Sequence, residues 1–494
     1  MAVMMWISLF TSRKVLSVLG IEDYGINNVV GGVTSIMWSF IGALSSATTR
    51  HITFELGRDD TERLKKIFTT SLSLHALLSL CIIIVCESFG VWFVYNELVL
   101  PDERIEAAMW VFHFSILSLV ISVMSIPFNA CIVAHEKMSA YAYITIVDTL
   151  LKLLIVYIIN WLPYDNLKTY AMFGVLVQLV VQSIYMIYCS KSFPEVEIRF
   201  GKDKTIMKDM GFFALWNLIG SGSALIMQQG HSIILNQFFG PIVNAAKGIS
   251  GQVLSMIGKF TSNFQIAVNP QIFKSFASSN LEYMHKLIFS SSKYSCYLFI
   301  IVAIPVYTEA SFLLDLWLEE VPDYTISFLR ISLFTAATNI LASPLVTSAQ
   351  ATGKIKFFQI IESIILLFIL PFSWYILYIS NTPIYAFYVY FIFHAIAVLA
   401  RVLMLRKMIA LSSIKYFKKV ILPITIVSFI SLLSSLEISS ILPDTIVFKL
   451  FSLGISFSLT VLLIIYIGIS VDERILMKEK LYKVLSKIKN RLIK

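Results

Sequence analysis

The chain has 494 residues, 57% of them hydrophobic and only 14% charged, with a formal net charge of +9. At a mean hydropathy of +0.80 it carries more apolar surface than a soluble globular protein can bury, so it reads as an all-α polytopic membrane protein. The positive charge lies in short loops and at the C-terminus, with no aromatic-interleaved basic domain, which argues against a nucleic-acid partner. The five cysteines are odd in number and show no metal-type spacing, which argues against disulfides and zinc.

The N-terminal MAVMMWISLFTSRKVLSVLG lacks a basic leader and a small-residue cleavage site. Residues 1–19 therefore read as a first membrane helix and not a signal peptide. The run opens inside its apolar stretch, as if a short cytoplasmic lead preceded it. Arg13 and Lys14 fall about 10 Å from its outer end by helix rise. Two adjacent cations cannot both face lipid cheaply, and Arg13 is the one expected to turn inward. Segment 26–48 follows and leads to Arg50, which is either a basic anchor at the cytoplasmic face or a ligand.

Further spans fall at 68–94, 107–133, 139–160, 167–189, 208–238, 241–271, 287–309, 325–350, 355–378, 383–404, 418–436 and 445–470, which makes about fourteen helices. Asp148 and Lys152, four apart, are expected to neutralise each other. The loops alternate in charge. One set holds Arg58, Arg63, Lys65 and Lys66, then Lys137, then Lys191 to Lys208, and so on to Lys419. The other holds Glu22 and Asp23, then Glu97 to Glu106, then Asp315 to Asp323. The positive-inside rule then places both termini in the cytoplasm.

In segment 208–238, Asn217, Ser221, Gln228 and His231 share one face, with Gly220 and Gly222 close by. Such a stripe is either hydrogen-bonding glue between helices or the wall of an aqueous cavity, and the glycines would permit bending. The next stretch, FGPIVNAAKGISGQVLSMIGKFTSNFQIAVNPQIFK, is the most informative of the chain. At about 100° per residue, Asn244, Gly248, Gly251, Ser255, Gly258, Ser262 and Asn269 form one narrow stripe. Ile249, Val253, Met256, Ile257, Phe260, Phe264 and Val268 cover the opposite face. Lys247 and Lys259 flank the stripe, about 60° to either side. A bilayer-embedded cation marks a pathway or a ligand site, the alternative being that both lysines snorkel to the helix ends.

The stripe has a twin in Asn28, Gly32, Ser35, Ser39, Gly42 and Ser46 at the same spacing, and Pro127, Ala134, Lys137 recur as Pro344, Ala351, Lys354. Six helices followed by six similar ones imply two lobes, as in alternating-access transporters. The division is 1–205 for an N-lobe, 206–405 for a C-lobe, 406–470 for two extra helices and 471–494 for a basic amphipathic tail on the inner leaflet. Glu362, His394 and Arg401 are isolated and suit core or interfacial roles. No phosphate loop, Ser/His/Asp set or metal cluster is apparent, so neither catalytic residues, metal nor cofactor are expected.

The chain resembles bacterial polysaccharide exporters of the O-antigen flippase type, in the multidrug/oligosaccharidyl-lipid/polysaccharide superfamily. The resemblance rests on TSRKVLSVLGIEDYGINNVVGG at 11–32, ATTRHITFELG at 47–57, FNACIVAHEKMSAYAYI at 128–144, FFGPIVNAAKGIS at 238–250 and AVNPQIFKSFAS at 267–278. It implies a MATE-like fold whose lobes enclose a cationic cavity, and a substrate of undecaprenyl-pyrophosphate-linked oligosaccharide moved from the cytoplasmic to the periplasmic leaflet of the bacterial inner membrane. Basic residues of related flippases carry over to Arg13, Lys247 and Lys259, which would hold the pyrophosphate, with Arg50 a further candidate. Asn244, Gln228 and His231 would contact sugar hydroxyls. Implied partners are the lipid-linked oligosaccharide, membrane lipids, a polysaccharide polymerase and glycosyltransferases. Two other functions fit less well: a cation-coupled multidrug exporter, which needs buried carboxylates, and a membrane glycosyltransferase or polymerase using Glu22 and Asp23, which needs a sizeable outer domain.

Overall fold

The computed structural model describes residues 41, 42, 44–58, 60–96, 102–159, 161–197, 201, 203–318, 321–470, 473 and 474, and before residue 41 only 7, 10, 11, 14, 15, 17–20, 23, 26 and 27. The first membrane helix with Arg13, the stripe from Asn28 to Ser39, Glu22 and the tail 475–494 lie outside the described residues, wholly or for the most part.

No strand occurs among the described residues. The helices are α1 (44–56), α2 (Thr61–Asn96), α3 (Ile105–Ala134), α4 (Met138–Ile159), α5 (Asn166–Ser192), α6 (Lys204–Gly240), α7 (241–277), α8 (Leu281–Thr308), α9 (Thr325–Thr352), α10 (Lys356–Ser380), α11 (Ile384–Ile409), α12 (Ser413–Ile441) and α13 (Ile446–Gly468). Eleven of these, all but α1 and α7, are long and apolar enough to cross a membrane. Helix α7 is longer than most of them, yet its polar stripe lowers its hydropathy below theirs. With α7 there are twelve such long helices among the described residues, in keeping with the expected total of about fourteen. Several elements run a few residues past the apolar segments, and at the starts of α2 and α6 polar caps extend them: Asp60 and Asp203 accept the first backbone N–H groups.

Contacts divide the chain into two compact units. The first comprises Met1–Ala224, Asn269–Leu281 and Gln350–Ser363; the second comprises Leu225–Val268, Glu282–Ala349 and Ile364–Lys494.

The first unit has a core of Ile52, Phe68, Phe128, Cys131, Ile155 and Cys189. Helix α2 carries a π-turn at Cys86–Gly90, where a Cβ on Gly90 would come within 2.4 Å of the Phe112 ring on α3. Arg104, just before α3, clasps Asp23 with two hydrogen bonds and reaches Asp165 Oδ2 at 2.5 Å. Burial raises the Asp165 carboxyl, but the backbone N–H of Lys168 and the Arg104 guanidinium outweigh that and hold it below its ordinary value. The single arginine of this acidic loop set thus ties three segments together. Within α4, Lys152 meets Asp148 at 2.8 Å, as the spacing predicts.

The second unit packs Leu235, Val243, Ala246, Phe328, Leu377 and Ala386 together, with Phe328 and Phe387 stacked at 4.0 Å. Lys293, buried in α8, is met by both carboxylate oxygens of Glu473 at 2.7 Å, and Tyr297 donates to Gly468 O at 2.9 Å. These bonds root the start of the C-terminal tail in α8. Glu309, 2% exposed, accepts from Ser452 of α13 at 2.6 Å and pairs with Lys449 at 3.3 Å. An otherwise isolated buried carboxylate is thereby satisfied.

Candidate functional site

The site begins at Gly240. Its φ of 75° and ψ of −168° lie in a region essentially closed to residues with a Cβ. Pro241 follows, its fixed φ suited to the first turn of a helix. The chain therefore leaves α6 and returns as α7 within one residue. The two helices are stapled across the turn. Asn244 Nδ2 donates to Ser232 O at 3.1 Å, and Lys247 Nζ donates to Gln228 O at 3.1 Å and to Ser232 Oγ at 2.6 Å. Lys247 is thus held in the protein interior and does not snorkel.

Helix α7 buries Val243, Ala246, Ser250, Ile257, Thr261 and Gln265. Its small polar stripe stays open: Gly248, Gly251, Ser255 and Ser262 are exposed, and Asn244 and Gly258 are half-buried. A Cβ built on Gly248, Gly251 or Gly258 would meet nothing within 4 Å. These glycines do not serve close helix packing; they leave space.

That space is a cavity of about 830 Å³ inside the second unit, within the range of small-molecule sites. Gln228, His231 and Ser232 of α6 line it, with Asn244, Lys247, Gln252, Ser255 and Lys259 of α7. Ser332, Thr335 and Asn339 of α9 and Phe387 and Tyr390 of α11 add to the wall, with apolar Leu254, Met256 and Ala336 between them. Five of the seven residues singled out from sequence therefore share one cavity. His231 is buried and set edge-on to Phe387 at 5.4 Å and to Tyr390 at 5.2 Å, so it stands behind the aromatic wall. Tyr390 stacks on the buried His394 at 4.7 Å. Among the described residues, the charged groups of the lining are Lys247 and Lys259, with no carboxylate. Hydroxyls, amides, two ring faces and two ammonium groups make a surface that can bind a polyhydroxylated anion.

Arg50 is not among these lining residues. In the first unit its Nε donates to Gln350 O at 2.9 Å, and its guanidinium lies over Phe54 and Phe213 at 5.2 and 5.1 Å. It also fills the space beside Gly353, where a Cβ would lie 2.5 Å from it. Burial lowers its pKa to about 10. Its polar contacts are those of a cap on the end of α9. Asn217 accepts from Gln350 and Gln359 at 3.1 and 3.3 Å, which is the glue reading of its stripe, whereas Gln228 and His231 further along reach the cavity. A Cβ on Gly220 would strike Gln359, and α6 runs unbroken through Gly220 and Gly222. The break in the helical backbone falls at Gly240.

Sequence reasoning passed over two pairs that involve spanning helices. Glu87, in the π-turn of α2, accepts or shares a proton with His113 of α3 at 2.9 Å, and Lys293 meets Glu473. An ionisable residue inside an apolar run, as at Glu87, His113 and Lys293, was the available signal. No group of three or more His, Cys, Asp or Glu side chains suited to a metal occurs among the described residues.

Residues 1–158 match the MatE family model. Among curated proteins no sequence matches the chain. Solved structures match in fold. A multidrug resistance MATE family transporter of the MOP superfamily, in an outward-facing conformation, shares 16% identity at a TM-score of 0.71, covering 83% of this chain and 93% of that one. A Vibrio cholerae MATE transporter shares 17% at 0.67, covering 84% and 94%. A MOP superfamily transporter from Pyrococcus furiosus, described as having a binding pocket of reverse polarity that suggests a different function, shares 16% at 0.69, covering 82% and 93%. The fold is that of the MATE transporters.

Proposed function

We propose that this MATE-fold chain is a flippase that moves an undecaprenyl-pyrophosphate-linked oligosaccharide from the cytoplasmic to the periplasmic leaflet by alternating access. The observation that carries this reading is the polarity of the cavity in the second unit: amides, hydroxyls and ring faces around two lysines, without a carboxylate among the described residues. Ring faces and amides suit sugars, and the ammonium groups suit phosphate. The multidrug exporter is the competing function, since relatives in fold are described as such. A cationic drug would meet two like charges here, and like-charge juxtaposition costs several kcal/mol. The Pyrococcus furiosus transporter, whose reversed pocket polarity is described as suggesting a different function, supports the view that one fold serves more than one function. Outward movement of a multiply anionic headgroup runs with an inside-negative potential, worth about 2.3 kcal/mol per charge per 100 mV. That drive needs no ATP.

The deciding experiment is deletion of the gene in its host, with complementation. Loss of surface polysaccharide with lipid-linked repeat units accumulating inside is expected. Unchanged polysaccharide, or drug resistance gained on expression, favours the exporter. The open space at Gly251 provides a finer check. Gly251→Leu should fold at normal yield, because a Cβ there meets nothing within 4 Å and the position opens onto the cavity, and should cut export at least about tenfold by filling that space, as one misplaced group in a binding site does. Full export by this variant would place the substrate elsewhere.

A further inference from the structure

We infer that the cavity holds two separate anion subsites, one at Lys247 and one at Lys259, and that the substrate therefore carries an acidic group on its glycan in addition to the lipid-proximal pyrophosphate. The inference rests on the anionic-glycan reading above and deepens it.

Both lysines line the same cavity from the same helix, twelve residues apart. Helix geometry sets them about 18 Å apart along the axis of α7 and about 120° apart around it. The Lys247 ammonium is anchored by Gln228 O and Ser232 Oγ and is not free to swing toward Lys259. A pyrophosphate with outer oxygens about 5 Å apart, bonded to an ammonium at each end at about 2.8 Å, bridges about 11 Å. Lys259 would have to lie parallel to the helix axis to approach that distance, and its azimuth points it away. One pyrophosphate therefore cannot engage both.

The two surroundings differ as two ligands would require. An ammonium has three donors. Lys247 spends two of them on α6, leaving one, beside Asn244 one turn away on α7. A single carboxylate or phosphate oxygen borne by a sugar ring matches that setting. Lys259 is exposed, and among the described residues its ammonium has no hydrogen-bond or ion-pair partner. All three donors face open space next to Ser255, which suits the several oxygens of a pyrophosphate.

The test uses the purified full-length protein in lipid nanodiscs, with binding measured by calorimetry. The probes are inorganic pyrophosphate, trigalacturonate, glucose 6-phosphate and neutral maltotriose, applied to the wild type, Lys247→Gln and Lys259→Gln. Lys259→Gln should weaken pyrophosphate about tenfold or more, the loss of a charge-assisted hydrogen bond, and leave trigalacturonate within twofold. Lys247→Gln should do the reverse, and saturating pyrophosphate should leave wild-type trigalacturonate binding in place. If glucose 6-phosphate, rather than trigalacturonate, depends on Lys247, the second group is a phosphate substituent. Mutual exclusion of the probes, or equal loss of both in each variant, overturns the two-subsite inference while leaving an anionic substrate standing. A wild type that binds maltotriose but no anion overturns the proposed function itself. Lys247→Arg and Lys259→Arg should retain binding, which separates loss of charge from loss of fold.

Discussion

Replacing both Lys247 and Lys259 by alanine is expected to abolish surface polysaccharide while the protein accumulates at normal levels. Each hydrogen bond to a charged group contributes about 1.5–3 kcal/mol, so each substitution alone should reduce export about 10- to 100-fold. The double variant removes both cations of the described lining. Its cost to folding should be modest, since Lys259 faces open space and the groups freed by the loss of Lys247 are a helix carbonyl and a hydroxyl. The check is immunoblotting of membranes beside gel analysis of extracted polysaccharide. Unchanged export at normal protein levels would show that the cavity is not the substrate's path.

Gly240→Val should destabilise the protein more than any comparable substitution on the cavity stripe. A β-branched residue forced into that backbone region costs about 1–3 kcal/mol, and the only relief is to shift the turn. A shifted turn would pull Asn244 and Lys247 away from Ser232 and Gln228, adding the loss of their bonds. Gly251→Val supplies the control, because its φ is not positive and its surroundings are open. Thermal aggregation followed by size-exclusion chromatography should give a lower midpoint for Gly240→Val and one near wild type for Gly251→Val. Equal midpoints would refute the role assigned to the turn.

The helices could be read from sequence because bilayer burial demands long apolar runs, and the boundaries moved by several residues, at Asp60 and Asp203 because a cap extends the helix. The open stripe of α7 could be read because it is a property of one helix and its period. So could Asp148 with Lys152, which are neighbours on one helical face. Contacts between distant segments could not be read. Arg50 meets a carbonyl 300 residues away, and nothing in its local sequence separates an anchor, a ligand and a cap. Glu309 with Ser452 and Lys293 with Glu473 are likewise set by tertiary packing. Asn217 and Gln228 share a helical face, yet only packing decides that one binds its neighbours and the other lines space.

The turn at Gly240 also bears on how the chain enters the bilayer. A lysine in a spanning helix costs up to about 2.5–3.5 kcal/mol, the value at the helix centre, when the segment passes from the translocon into lipid. Lys247 finds a carbonyl and a hydroxyl on the segment synthesised immediately before its own, at a separation of 15 to 19 residues. Its partners are present as soon as the hairpin closes, before any later helix exists. The α6–α7 pair can therefore partition as one unit with one of its two cavity-lining cations already accommodated, helped by the neighbour that precedes α7.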